Sequence, residues 1–196
     1  MLELAIETST TRGSLALGNR SVVVREIIFE GKQQHSSQIF NALMQLGLPR
    51  LALARIIIGI GPGSFSGIRV ALAAAQAIAL VQRVPVHGIC SAFSIAAQHS
   101  EVTRLGVFAD ARRGEFYGTI FNQGKMEKES FILTRDELET ELGKVTLAVS
   151  AEAIPGVSQR TYPRARDLLL LPPDLQQWVR HRELEPIYLR EPMVAA

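Results

Sequence analysis

Apolar and polar residues alternate from the start of the chain. LELAIE (2–7) has the period of two expected of a strand, TSTTRG (8–13) is turn chemistry, and SLALG (14–18) and SVVVREIIF (21–29) predict two more strands, a three-strand meander. The period then lengthens. HSSQIFNALMQLG (35–47) carries apolar residues at 39, 40, 43, 44 and 46 and ends on Gly47, a helix with a glycine stop. RIIIGI (55–60) is a continuous β-branched run, the pattern of a buried strand. It opens into a glycine-rich loop, a helix over about 66–82, a strand VPVHGI (84–89) and a helix SAFSIAAQ (91–98).

The second half starts the pattern again. TRLGVFAD (103–110), EFYGTIF (115–121) and KMEKESFIL (125–133) predict strands, TRDELETEL (134–142) a helix with Thr134 and Glu137 as a capping box, and VTLAVS (145–150) another buried strand. Each half opens with a strand ending in a carboxylate, Glu7 or Asp110, and turns back into a second strand. This repeat of order predicts a duplicated α/β lobe with a cleft between the copies and a boundary near Ser100. From residue 155 the chain carries Pro155, Pro163, Pro172, Pro173 and Pro186 and reads as loop-rich, with short helical patches such as DLQQWVRH (174–181).

Composition narrows the class. With 196 residues, 47% hydrophobic and 20% charged, the chain can bury a sizeable core. The net charge is only +2, although residues 1–100 hold eight basic against four acidic residues. Arg12, Arg20, Arg25 and Arg69 would be the contacting groups if that mild excess bound a nucleic acid directly. Cys90 is the single cysteine, which excludes an intramolecular disulfide framework and fits a reducing setting. The opening MLELAIETST lacks a basic start followed by an apolar run, so a cytoplasmic location is expected.

The stretch GIGPGSFSGIRVALAAAQAIALV (59–81) is the most distinctive. The thirteen apolar-rich residues 70–82 would span only about 20 Å as a helix, short of a hydrocarbon core of about 30 Å. No lysine follows the glycines as a P-loop requires, Ser64 and Ser66 break G-x-G-x-x-G, and no G-x-S-x-G elbow exists. Two readings stay open for the loop: an anion cradle at the helix start, or a tight strand-to-helix connection capped by Ser64 or Ser66. Arg69 is expected to pair with a carboxylate at its rim. From Val70 to Val81 every residue but Gln76 is apolar, and Ala71, Ala75 and Ala79 form a small-residue ridge. Its cover is either the helix at 35–47, through Ile39, Leu43 and Leu46, or a partner chain. The histidines at 35, 87, 99 and 181 have no ligand spacing, so no metal site is expected, and Cys90 reads as a packed side chain.

LAIETSTTRGSLAL, GIGPGSFSGIRVALAAAQAIAL, FADARRGEFY and PIYLR resemble the bacterial TsaB (YeaZ) family over roughly residues 2–120 and the C-terminal dozen. The resemblance implies an α/β fold of two duplicated ribonuclease H-like (actin/Hsp70-like, ASKHA) lobes, each a mixed sheet with a strand meander and flanking helices, at 1–100 and 101–196. It implies a non-catalytic subunit that dimerises with the TsaD paralogue. With the ATPase TsaE, the pair supports threonylcarbamoyl transfer to N6 of adenosine 37 in ANN-decoding tRNAs, tRNA being reached through the complex.

The docking surface carried over comprises Ile39, Leu43 and Leu46 of the first helix, the loop residues Gly61, Pro62, Gly63 and Ser64, and Phe65, Gly67, Arg69, Leu72, Ala75, Gln76 and Ala79 of the second. The same apolar surface would allow a homodimer in isolation. Catalytic relatives hold metal through H-x-x-x-H, where this chain has His35 and Ile39, so no firmly bound cofactor is expected and ATP with Mg belongs to the complex. The alternative is a nucleotide-dependent or M22 peptidase-like enzyme using the interlobe cleft, with Glu7, Thr8, Ser9 and Asp110 facing nucleotide or metal. Glu7 stands where the family usually has aspartate, which argues against that alternative. Ser66 replaces the usual threonine, and the second lobe is shorter than typical, with a poor match over 151–175.

Overall fold

The computed structural model describes residues 1–19, 21–30, 35–48, 51–172 and 184–189. Strands β1 (Leu2–Glu7), β2 (Arg12–Gly18) and β3 (Val23–Glu30) form an antiparallel meander. Helix α1 (His35–Gln45) leads to β4 (Leu53–Gly59), which lies parallel to β1, and α2 (Phe65–Gln82) leads to β5 (Val86–Ile89), parallel to β4. The sheet order is β3-β2-β1-β4-β5, and α3 (Ala92–Ala97) leaves it.

The second half repeats the plan. Strands β6 (Arg104–Arg112), β7 (Glu115–Asn122) and β8 (Lys125–Leu133) form the meander, α4 (Arg135–Leu142) crosses over, β9 (Leu147–Ser150) pairs parallel to β6, and β10 (Gln159–Arg160) parallel to β9. The order β10-β9-β6-β7-β8 matches the first sheet strand for strand, and α5 (Ala165–Leu169) follows as α3 does. The exception is α2: residues 151–158, between β9 and β10, contain no helix. Local chemistry fixes several of these elements. Thr134 and Glu137 complete the capping box of α4, and Arg113–Gly114 and Gln123–Gly124, all at positive φ, make the tight two-residue turns of the second meander.

Alternation along the strands sorts the core into layers. Leu4, Ile6, Ile56 and Ile58 face α1 and α2, while Ala5, Ala16 and Ile57 face α3 and α5. Leu105, Val107, Phe121 and Val149 of the second sheet close that middle layer, and Phe108, Ile120 and Leu133 turn outward to Leu138 of α4. The stacking is α1 and α2, first sheet, α3 and α5, second sheet, α4. The helix that ends each half thus lies between the two sheets. Helix α5 packs on β1 and β2, strands from the other end of the chain.

Two expectations need correction. The loop-rich stretch past residue 155 holds a strand, β10, and places its helical patch at α5. A five-residue helix is too short to show a period, and α5 is set by long-range contacts: Ala165, Leu168 and Leu169 are fully buried, and the Ala165 N–H donates to Ser14 Oγ at 2.8 Å. The helical patch expected at 174–181 lies outside the described residues. Helix α2 has eighteen residues, not thirteen apolar ones, so at about 27 Å it is long and apolar enough to cross a membrane. Length therefore does not exclude a span. What characterises α2 here is the burial of Ile68, Ala71, Leu72 and Ala75 against the sheet and α1.

Candidate functional site

The glycine loop is stitched to two other turns. The Ser64 N–H donates to Ser9 O (2.6 Å), the Gly61 N–H to Ser91 Oγ (3.1 Å) and the Ser91 N–H to Gly61 O (2.8 Å). Thr8 Oγ1 donates to Gly67 O (2.9 Å), and Ser64 Oγ caps α2 by accepting from the Gly67 N–H. A Cβ on Gly63 would fall on the Ser9 carbonyl oxygen, and Gly61 needs its φ of 94°. The amides of Gly61, Ser64, Gly67 and Ile68 are thus spent on protein acceptors. These bonds are those of a tight strand-to-helix connection capped by Ser64. Ser91, which the sequence does not single out, is the third point of the stitch; a serine directly between a strand and a helix was the available signal.

Glu7 sits beneath this loop with no exposed surface. Its Oε1 accepts the Ser9 N–H at 2.6 Å, and its Oε2 takes the space a Gly59 side chain would fill, beside the Ser91 hydroxyl. Burial pushes its carboxyl above the usual range, against the opposing pull of donors from Ser9, Ser91 and Thr8. Asp110 makes the same local bond, accepting the Arg112 N–H at 2.7 Å, and its other oxygen pairs with Arg112 at 3.2 Å. Both strand-end acids therefore cap the following turn.

The interlobe cleft is lined by Ser9, Pro62, Gly63, Ser91, Tyr117 and Glu152, among others, and neither Glu7 nor Asp110 opens onto it. Its volume is about 30 Å³, room for a water or two. The acid at its edge is Glu152, whose Oε2 accepts the Asp110 N–H at 2.6 Å. The space is of water size, and Glu7 Oε1 and Asp110 Oδ1 each accept a backbone donor, while Glu7 Oε2 is buried without a hydrogen-bond partner. Cys90 is buried, with its thiol pushed up to about 11 by desolvation, and acts as packing.

The residues assigned to docking divide by burial. Ile39, Leu43, Leu46, Gly67, Leu72 and Ala75 are buried between α1, α2 and the sheet, so α1 itself covers much of the alanine ridge. Phe65, Arg69 and Gln76 are exposed and Ala79 half-buried. Arg69 does not pair with a carboxylate among the described residues; its guanidinium lies over the Phe65 ring at 5.1 Å, and the Tyr188 ring packs against Phe65 at 5.6 Å. The surface open to a partner is the outer face of both helices, where Phe40 is 59%, Met44 66%, and Leu80 and Val81 each 82% exposed. Sequence reasoning missed these four. Phe40 and Met44, four apart, were a second apolar stripe on α1, and Leu80 and Val81 belong to the last turn of α2. His35, the position compared with a metal ligand, has no described side chain; among the described residues no cluster of three or more His, Cys, Asp or Glu side chains could hold a metal.

The sequence profile of the family described as TsaD, tRNA N6-adenosine threonylcarbamoyltransferase, matches residues 27–149, more than half the chain. The chain belongs to this family, on its TsaB (YeaZ) branch. The tRNA threonylcarbamoyladenosine biosynthesis protein TsaB of Bacillus subtilis is 30% identical over 62% of this chain and 55% of its own length. Its Escherichia coli namesake is 31% identical over 58% and 52%. An uncharacterized Mycobacterium leprae protein is 33% identical over 62% of this chain and 35% of its own. The chain thus matches about half the length of the TsaB relatives. A crystal structure described as an uncharacterized protein similar to peptidase YeaZ from Pseudomonas aeruginosa superposes with a TM-score of 0.74 at 22% identity, over 96% of this chain and 99% of that one. A structure of YeaZ from the same organism gives 0.68 at 20%, over 95% and 99%. The fold of these two structures is the one described above, two mixed five-stranded sheets with flanking helices.

Proposed function

We infer that this chain is an accessory subunit in tRNA threonylcarbamoyladenosine synthesis that docks a TsaD-type paralogue through the outer face of α1 and α2. The observation that carries this reading is that Phe40 and Met44 of α1 and Phe65, Leu80 and Val81 of α2, two helices packed on each other, are large apolar side chains left exposed. Single exposed apolar residues need no explanation, but a helix pair with several large ones is the surface an interface buries. The TsaB names of its relatives supply the pathway, and the TsaD-family match supplies the kind of partner.

The subunit acts without chemistry of its own. In support, the interlobe cleft is of water size and Glu7 and Asp110 cap turns. ATP and Mg, the ATPase TsaE and the tRNA belong to the assembled complex, in the cytoplasm. Self-association through the same face is the expected behaviour when the paralogue is absent.

Light-scattering chromatography of the chain with the TsaD paralogue from its own genome tests the reading. The expected result is a one-to-one complex that Leu80→Asp disrupts, and separate elution of the two proteins in the presence of ATP and tRNA would overturn it. Calorimetry with ATP and Mg is expected to give no binding heat for the isolated chain, and saturable binding would restore the enzyme alternative.

A further inference from the structure

A second cavity lies apart from the interlobe cleft. It measures about 210 Å³ and is lined by Arg12, Ser14, Ile28, Pro163 and Arg164, where β2 and β3 meet the start of α5. Two arginines from chain positions far apart converge on it. The Arg12 guanidinium lies over the Tyr162 ring, 5.0 Å from its centre, and its Nε–H is buried with no acceptor. Neither arginine forms an ion pair among the described residues. Ser14 Oγ accepts the Ala165 N–H at 2.8 Å, which leaves its hydroxyl proton available to a ligand.

The surrounding acids only partly offset this charge. Glu26 pairs with Arg166 at 3.5 Å. Asp167 lies close enough to Arg164 and Arg166 to feel both, yet burial still pushes it up to about 6. Glu30 is the cross-strand neighbour of Arg12 and is exposed.

We propose that this cavity binds a phosphate group, as a monoester or diester, gripped by Arg12 and Arg164 with Ser14 as a further donor. A guanidinium offers a planar fork that matches two oxyanion oxygens. One fork satisfies a carboxylate; two forks and a hydroxyl suit the more numerous oxygens of a tetrahedral anion. Stacking on Tyr162 holds one fork in place before any ligand arrives, and Ile28 and Pro163 supply walls without competing donors. The proposal does not depend on the docking role, since the cavity lies on the face of the first sheet opposite α1 and α2.

Thermal unfolding of the full chain with inorganic phosphate, at fixed ionic strength, tests it. At ten times Kd the expected rise in Tm is about 3–6 °C. Arg12→Gln and Arg164→Gln should each remove that rise. Arg164 is exposed, so its variant should keep the wild-type Tm without phosphate and remain informative if the Arg12 variant is unstable. No rise, or an equal rise in wild type and Arg164→Gln, overturns the proposal. Filter binding of a tRNA transcript across salt concentrations separates the sources. If the phosphate belongs to RNA, the double variant loses about one in the slope of log K against log salt. If the phosphate rise is lost but the tRNA slope is unchanged, the ligand is a small phosphorylated compound.

Discussion

Asp167 and Glu7 are acids whose surroundings oppose their charge, and they make the pH dependence of this chain unusual. The carboxyl of Asp167 is pushed up to about 6 from 3.8, so the folded state prefers it protonated. Its contribution to stability is fully present below about pH 4 and is lost as pH rises through 6. Asp167→Asn should therefore raise Tm relative to wild type at pH 7, with the advantage vanishing near pH 4, in unfolding scans across that range. Glu7 shifts in the same direction, so Glu7→Gln should also gain stability as pH rises. Gly63 has the opposite character, because any side chain there meets the Ser9 carbonyl. Gly63→Ala is expected to cost about 2–4 kcal/mol in urea unfolding. The sequence made Glu7 and the glycines conspicuous by position. It could not reveal that Glu7 is enclosed, because the enclosing atoms belong to Gly59 and Ser91, brought near only by the parallel pairing of β4 with β1 and β5.

Helix α2 illustrates how a periodic signal can name an element yet misplace its free face. Its uniform apolarity announced two-sided cover, and the structure divides that cover between the first sheet and α1. The alanine ridge is in large part internal packing. Ala75→Arg should therefore unfold the chain, by about 3 kcal/mol or more, before any docking is measured. Leu80→Asp tests docking cleanly: at 82% exposure it should leave stability within about 0.5 kcal/mol while abolishing the complex. Short elements escape the sequence for a different reason. β10 and α5 have two and five residues, too few for any period, and depend on partners distant in sequence. The turn at Arg113–Gly114 has arginine at φ 59° where asparagine is at ease. Arg113→Asn should stabilise by about 0.5–1 kcal/mol, read as a shifted denaturation midpoint with unchanged slope.

The repeated order of elements made the duplication legible, but not how the copies hold each other. α3 and α5 share the middle layer with residues of both sheets, so each half completes the core of the other. Calorimetry should show one transition with equal calorimetric and van't Hoff enthalpies. Residues 1–100 alone would lose α5 from over β1, β2 and β4, uncovering much of the layer around Ala5, Ala16 and Ile57, and should not fold cooperatively. The duplication is also incomplete in one respect: among the described residues the second half has no counterpart of α2 between β9 and β10, and its exposed large hydrophobics are Leu170 and Tyr188, neither on a helix pair. Sequence order hinted at this only through the shortness of the second half. Its consequence is one of valence. A subunit with a single apolar helix pair has one hand to offer: it can close a pair, with a copy of itself or with a relative, but that pair has no second such face from which to extend into a filament.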